Sequence, residues 1–525
     1  MAAVVTDQFR ISNANNFVDS VANTSNSYYV FLGLPNPSNP VSGFGRTTSD
    51  AEWNGNTPTP TDNLQFTSQY RDTALFGKKV TTSNVRRLIR KVNWASNTRY
   101  DMYRHDYSIS NPAPNSNLSR LYDTNYYVIN SDFRVYICID NSSSGSNLKG
   151  NVSKDEPTFT DLEPSAAGTS GDGYIWKYLY TIKPSDIVKF ESTDFIPVPT
   201  DWSTNSDVAS VRDNAVDGAI KIVTITDRGV GLGTANSTYT KVPIFGDGTG
   251  AECTIVINND QKVSDVTVST AGQNYTYGNV DLEAGGVPTG TTRPTFDVII
   301  PPPGGHGKDI YRELGAFNVL LYSRIENDIE NPDFITGNQI ARVGVIENPK
   351  ATSGALLSAD KASAVGALRL TGAGYSSATF DADAYFTQTV SAGTTAAARV
   401  VNYDQTTGVL KYWQDRTVAG FNTVGTAQTN PTYGYNLTAF TASPGTNGSL
   451  TITPTSGSNL AIDTSFTGVS TVINNRTYYL GQEFTSGLAS PEVKPYSGNI
   501  VYVDNRPSIT RSTNQKEDIK VILQF

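Results

Sequence analysis

Apolar residues in this chain fall mostly into short runs that Gly, Pro, Asn and Asp interrupt, the punctuation of strands joined by turns. Residues 28–34 form an apolar strand that Pro35 ends. Residues 126–129 and 133–139 read as a hairpin turned at Asn130, Ser131 and Asp132, since polar turn residues there separate two β-rich runs. The Ser/Gly/Asn stretch 141–150 is a loop. One pattern differs. Within residues 64–91 the chain enters a stripe in which Val85, Leu88, Ile89 and Val92 follow the i, i+3, i+4, i+7 spacing, which predicts a helix.

Between residues 219 and 300 the pattern repeats. Val223-Thr224-Ile225-Thr226, followed by Gly229, recurs as Val266-Thr267-Val268-Ser269, followed by Gly272. Tyr239, Val242 and Ile244 then recur as Tyr277, Val280 and Leu282, and each copy closes on a β-run, 254–257 or 297–300. Two copies of strand, glycine turn and strand predict a small duplicated β module. After the break at Pro301-Pro302-Pro303, an apolar pattern resumes from Leu314 to Asn348. Residues 350–490 are rich in Ala, Thr, Ser and Gly and carry short strands, such as 398–401 and 409–413 about a turn at 404–408. Residues 500–503 and 519–523 supply two final strands.

Composition agrees with a mainly β protein: Tyr 28 and Phe 21 stand against Met 2, Cys 2 and His 2, with Gly 44 and Pro 26 as breakers. The net charge of −9 disfavours a broad basic face, so nucleic acid is not an expected partner. Cys138 and Cys253, remote in sequence, are expected to be buried free thiols. The N-terminus lacks the basic and apolar regions of a signal peptide, and no run of about 18 apolar residues predicts a membrane helix, so the expectation is a soluble protein with no membrane partner.

Little catalytic chemistry is written in the chain. His105 and His306 are its two histidines, which leaves few members for a metal site or a Ser-His-Asp triad. His306 reads as a turn residue among Gly304, Gly305 and Gly307. The Gly229–Gly233 stretch follows a strand but precedes strand-like sequence, whereas a dinucleotide loop must open a helix. No cofactor, metal or small-molecule substrate is expected, and catalysis is not. Arg86, Arg87, Arg90 and Lys91 form a local basic cluster. It reads as a solvated or protein-contacting helix face, with nucleic-acid binding as the competing reading.

Four motifs carry a resemblance. Gly171-Asp172-Gly173-Tyr174-Ile175-Trp176-Lys177-Tyr178, followed by Phe195-Ile196-Pro197-Val198-Pro199, resembles the signature of a baseplate wedge subunit, the gene-eight product of T-even-type myophages. Ser497-Gly498-Asn499-Ile500-Val501-Tyr502-Val503-Asp504-Asn505-Arg506-Pro507, continuing to Phe525, resembles that family's closing segment. Val5 to Arg10 with Asn16-Phe17 resembles its start, and Asn93-Trp94 with Thr98-Arg99-Tyr100 a later element. The likeness covers 1–205, about 311–349 and about 494–525, in collinear order.

This resemblance implies a layered β-sandwich core assembled from discontinuous segments (1–205, 306–349 and 491–525), few short helices, and two inserted small β domains at 206–305 and 350–490. It implies a virion protein of the tail baseplate, made in the bacterial host cytoplasm, that forms a homodimer and binds other wedge proteins. Tyr174 and Trp176 are then candidates for a protein interface, although alternation would equally place them in a strand core. Arg86, Arg87, Arg90 and Arg506 complete the candidate set. The competing function is a tail-associated carbohydrate-binding or depolymerising protein, with the repeat at 219–300 as its ligand module.

Overall fold

The computed structural model describes residues 5–36, 50–326, 339–414, 438–446, 451–512 and 515–525. It is mainly β, with 41% strand and 11% helix. The chain forms two compact units. One comprises Met1–Val18, Arg86–Leu320 and Val521–Phe525; the other comprises Asp19–Val85 and Leu321–Lys520. The expected N-terminal segment 1–205 is therefore divided, and residues 206–305 group with its larger part.

The second unit is built on a five-stranded sheet in the order Lys361–Ser363, Ala74–Val80, Tyr28–Gly33, Gln339–Glu347, Asn499–Thr510. Its centre, Tyr28–Gly33, is buried along its whole length, as an uninterrupted apolar run requires. Phe31 lies opposite Gly77 on one neighbour and Gly344 on the other. Both glycines make room for rings. A Cβ at Gly77 would lie 2.6 Å from the Phe31 ring, and one at Gly344 would lie 2.3 Å from the Tyr70 hydroxyl. Tyr70 comes from the helix Leu64–Asp72, which starts where the Asn63 side chain accepts a hydrogen bond from the Phe66 amide at 2.8 Å. Phe66 and Tyr70, one turn apart, are its buried face.

Arg342 is buried in the same unit. Its guanidinium donates to Asn505 Oδ1 (3.0 Å), the Gln69 carbonyl (3.0 Å), Thr73 Oγ1 (2.7 Å) and Asn36 Oδ1, and lies over the Trp53 and Phe66 rings. All four acceptors are neutral, so burial pushes the Arg342 pKa down to about 9. One side chain thus joins three remote stretches of sequence. Within 350–490, Lys361–Ser363 joins that first sheet, while other described strands make a separate one, in the order Tyr385–Ser391, Thr394–Asp404, Val409–Trp413, Gly366–Thr371, Leu460–Ile462, Thr451–Ile452, and Gly468–Ile473 pairs with Arg476–Phe484.

In the first unit, the expected hairpin is present as Tyr127–Ile129 and Arg134–Asp140, extended by Ile175–Thr181 and Ser165–Ala166. The repeat also forms, by exchange between its copies. The first strand of copy one, Val223–Asp227, pairs with the last of copy two, Thr295–Val298. The last strand of copy one, Thr249–Ile257, pairs with the first of copy two, Val263–Gln273. The middle strands, Thr238–Gly246 and Gly278–Val280, pair with each other. Within copy one Thr238–Gly246 also pairs with Thr249–Ile257, so the four-stranded sheet joins a hairpin of the first copy to two strands of the second. The stretch 229–233 is a turn leading to the strand Thr238–Gly246, its three glycines all at positive φ. Cys138 and Cys253 are free and buried in separate cores of this unit.

The expected helix at 85–92 is corrected: Val85–Arg90 is a strand, paired with Phe195–Pro197. Val85, Arg87, Leu88 and Ile89 are all buried. Burial on both strand faces produced a spacing that also fits a helix. The longest helix among the described residues, Asp7–Ala22, is not marked by the apolar pattern because of its 16 residues only Ile11 and Ala14 are fully buried.

Candidate functional site

The basic cluster lies on the strand Val85–Arg90, and its charges are spent internally. Asp186 takes Arg86 in a two-point pair, both contacts at 3.1 Å, while the guanidinium stacks on Phe190. Arg87 is buried, donates to Asn15 Oδ1 at 2.6 Å and covers the Tyr311 ring. Arg90 donates to the Thr124 carbonyl (2.8 Å) and to Asn125 Oδ1 (3.1 Å). Lys91 pairs with Glu191. The exposed basic helix face expected from sequence is corrected to an ion-paired strand.

Tyr174 and Trp176 are both 0% exposed. They stack at 5.3 Å between ring centres, with Tyr100 edge-on to each. The Tyr174 hydroxyl donates to the Asn151 carbonyl and accepts from the Tyr100 amide, both at 3.0 Å. These aromatics build the core and offer nothing to a partner, which corrects their candidacy for an interface. Along the same strand Lys177 is also buried, its ammonium donating to the Leu162 carbonyl at 2.6 Å.

Of the six candidates, Arg506 is open to solvent, with its side chain 64% exposed. It sits on Asn499–Thr510, the edge strand of the five-stranded sheet, near exposed Val501 and Ile509. Its Nε donates to Asp504 Oδ2 at 2.8 Å, and its carbonyl accepts from the Trp53 indole at 2.8 Å. Arg86 also lines a cleft of about 600 Å³ together with Lys183, Asp186 and Asp207. Its charges cancel pairwise, Arg86 against Asp186 and Lys183 against Asp207.

Sequence reasoning missed a buried pair. His306 is a turn residue among glycines at positive φ, as expected, but it is buried, with Nδ1 2.6 Å from Glu313 Oε1 and its ring edge-on to Tyr103. Glu313 also accepts from the Gly307 amide at 2.7 Å, so the glycines position a carboxylate and an imidazole inside the core. The spacing of His306 to Glu313 across a short helix gave no recognisable motif. His105 is exposed, and its Nδ1 accepts from the Ile300 amide (3.2 Å).

The two thiols are poor nucleophiles, because burial pushes Cys253 up to about 11 and raises Cys138 as well. Among the described residues, no group of three or more His, Cys, Asp or Glu is placed to hold a metal ion, and no helix is long and apolar enough to cross a membrane. No protein-family model matches the chain, and none of the curated proteins compared with it does.

Proposed function

We propose that this protein is a structural wedge subunit of a contractile phage-tail baseplate, related to the gene-eight product of T-even-type myophages. The observation that carries the reading is the agreement between motif order and sheet order. The segments that resemble the family, 1–205, 311–349 and 494–525, supply four of the five strands of one sheet: Tyr28–Gly33, Ala74–Val80, Gln339–Glu347 and Asn499–Thr510. The repeat module and most described strands of 350–490 form sheets of their own. That is the layout expected of a core into which two β domains have been spliced, since an insertion is tolerated where its ends rejoin neighbouring strands.

In this reading the work is mechanical. The protein is made in the host cytoplasm, dimerises, docks other wedge subunits and transmits the rearrangement of the baseplate through its sheets, because dense interiors pass on displacement. It binds neither nucleic acid nor membrane, needs no cofactor and turns over no substrate. Partner contact falls to the edge strand carrying Arg506, Val501 and Ile509, where apolar and charged side chains are both open.

Light scattering on the purified protein, then capture of the other wedge proteins of its phage, tests this. A dimer that captures at least one of them, and captures it less well as Arg506→Glu, is expected. A monomer that captures none overturns the reading.

A further inference from the structure

Within the first unit, a second cleft of about 460 Å³ opens where the repeat module meets the loops that follow Tyr100 and Asp140. Its volume falls in the roughly 300–1,000 Å³ range of small-ligand sites. The cleft is held open by specific links. The Gly145 amide donates to the Ile225 carbonyl at 2.9 Å, and a Cβ at Gly145 would lie 2.1 Å from the Thr226 carbonyl oxygen, so only glycine permits this approach. On the opposite side, Arg104 grips Asp106 through two contacts of 2.9 and 2.7 Å and reaches Asp297 of the module at 2.9 Å.

The polar groups left over face both ways. Asp297 is about half exposed, and only one of its oxygens is taken, by Arg104. Asn111 gives its amide to Asp106 and keeps its carbonyl oxygen. Thr224 also contributes to the lining, but its hydroxyl is sealed from solvent and is not offered to a ligand. Between these polar atoms lie Met102, Pro112 and Leu148, apolar surfaces suited to C–H faces.

Two carboxylates surround one guanidinium, so the site repels phosphate and other anions. A ligand that donates and accepts at adjacent atoms, carries no charge and has an apolar face is a neutral saccharide. We propose that this cleft binds a neutral mono- or disaccharide, with Asp297 and Asn111 accepting from its hydroxyls and Met102, Pro112 and Leu148 against its C–H face. The proposal stands or falls separately from the baseplate reading, since it rests on this cleft alone.

Saturation-transfer NMR on the full chain tests it, with glucose, galactose, mannose, N-acetylglucosamine, lactose, maltose and chitobiose as probes, and inorganic phosphate as a charged control. At least one sugar is expected to receive saturation, with its affinity reduced at least about tenfold in Asp297→Ala and in Asn111→Leu, and unchanged in Arg86→Ala. Should Asp297→Ala fail to fold, Asn111→Leu, at an exposed position, decides the matter alone. Absence of transfer to every sugar, affinity unaltered in Asn111→Leu, or preferential binding of phosphate would each overturn the proposal.

Discussion

Gly344→Ala offers a sharp test of how the five-stranded sheet is packed. The new Cβ would lie 2.3 Å from the Tyr70 hydroxyl, 2.6 Å from its Cζ and 2.8 Å from the Tyr502 carbonyl oxygen. Carbon contacts are comfortable at about 3.5–4.0 Å, so the ring must retreat by roughly 1 Å. Tyr70 is 0% exposed and packed against Tyr29, Phe31 and Ile346, which leaves it nowhere to go. Overpacking of this kind costs about 1–3 kcal/mol. Strain on the pairing beside Tyr502 adds about 1 kcal/mol, and the preference of a strand for alanine over glycine returns roughly 0.5–1 kcal/mol. The expected loss is therefore about 2–3 kcal/mol, read by urea unfolding followed by tryptophan fluorescence. Hydrogen exchange should quicken together in Tyr28–Gly33 and Asn499–Thr510, the two strands that flank Gly344. In a Tyr70→Phe background the loss should shrink, because the nearest clashing atom is gone. A Gly344→Ala protein within about 0.5 kcal/mol of the parent would refute the packing argument.

Three further outcomes follow from desolvated polar groups. Tyr70→Phe alone should stabilise the protein by about 1 kcal/mol in the same unfolding assay, since the hydroxyl it removes is buried without a partner. Asp140→Asn should stabilise it at pH 7 by about 1–2 kcal/mol. Burial raises the Asp140 pKa from 3.8 to about 6, so the folded state holds the extra proton between those values and the wild type loses stability as pH rises through that window. Asparagine keeps the oxygen that accepts from the Ser142 amide, and the variant's stability should stay flatter across that window. His105 titrates in the opposite sense: desolvation, with Arg104 adding to it, lowers its pKa below 6.5 against the pull of Asp106 and Asp297. Its contribution is complete above pH 6.5 and is lost as pH falls toward the folded value, when protonation breaks its bond from the Ile300 amide. Exchange at the Ile300 amide should quicken below pH 6.5 in the wild type and less so in His105→Asn, which keeps an acceptor near the Nδ1 position.

Legibility varied with how local the determinants are. The hairpin at 127–140 was readable because its turn residues and both strands are contiguous. The duplicated module was readable as a repeat, but its strand exchange was not, since pairing between copies leaves no mark on either copy alone. Val85–Arg90 misled because Arg87 is buried over Tyr311, so apolar and charged residues alike face inward and the alternation of a strand is lost. The candidate aromatics Tyr174 and Trp176 were found, yet whether a strand's aromatics point into the core or out to a partner depends on elements far along the chain, here Tyr100. Arg342 was invisible for the same reason: its acceptors Asn36, Gln69, Thr73 and Asn505 are remote in sequence, and no pattern links them.

The central claim is that this chain is a β-built structural part of a tail baseplate. Reconstruction of the intact tail by electron microscopy, with this sequence traced into density, measures that most directly. The account predicts paired copies in the wedges around the hub, with the strands Tyr28–Gly33, Gln339–Glu347 and Asn499–Thr510 moving as one rigid body between extended and contracted tails. Density for this chain elsewhere in the particle, or none in the baseplate at all, would contradict it.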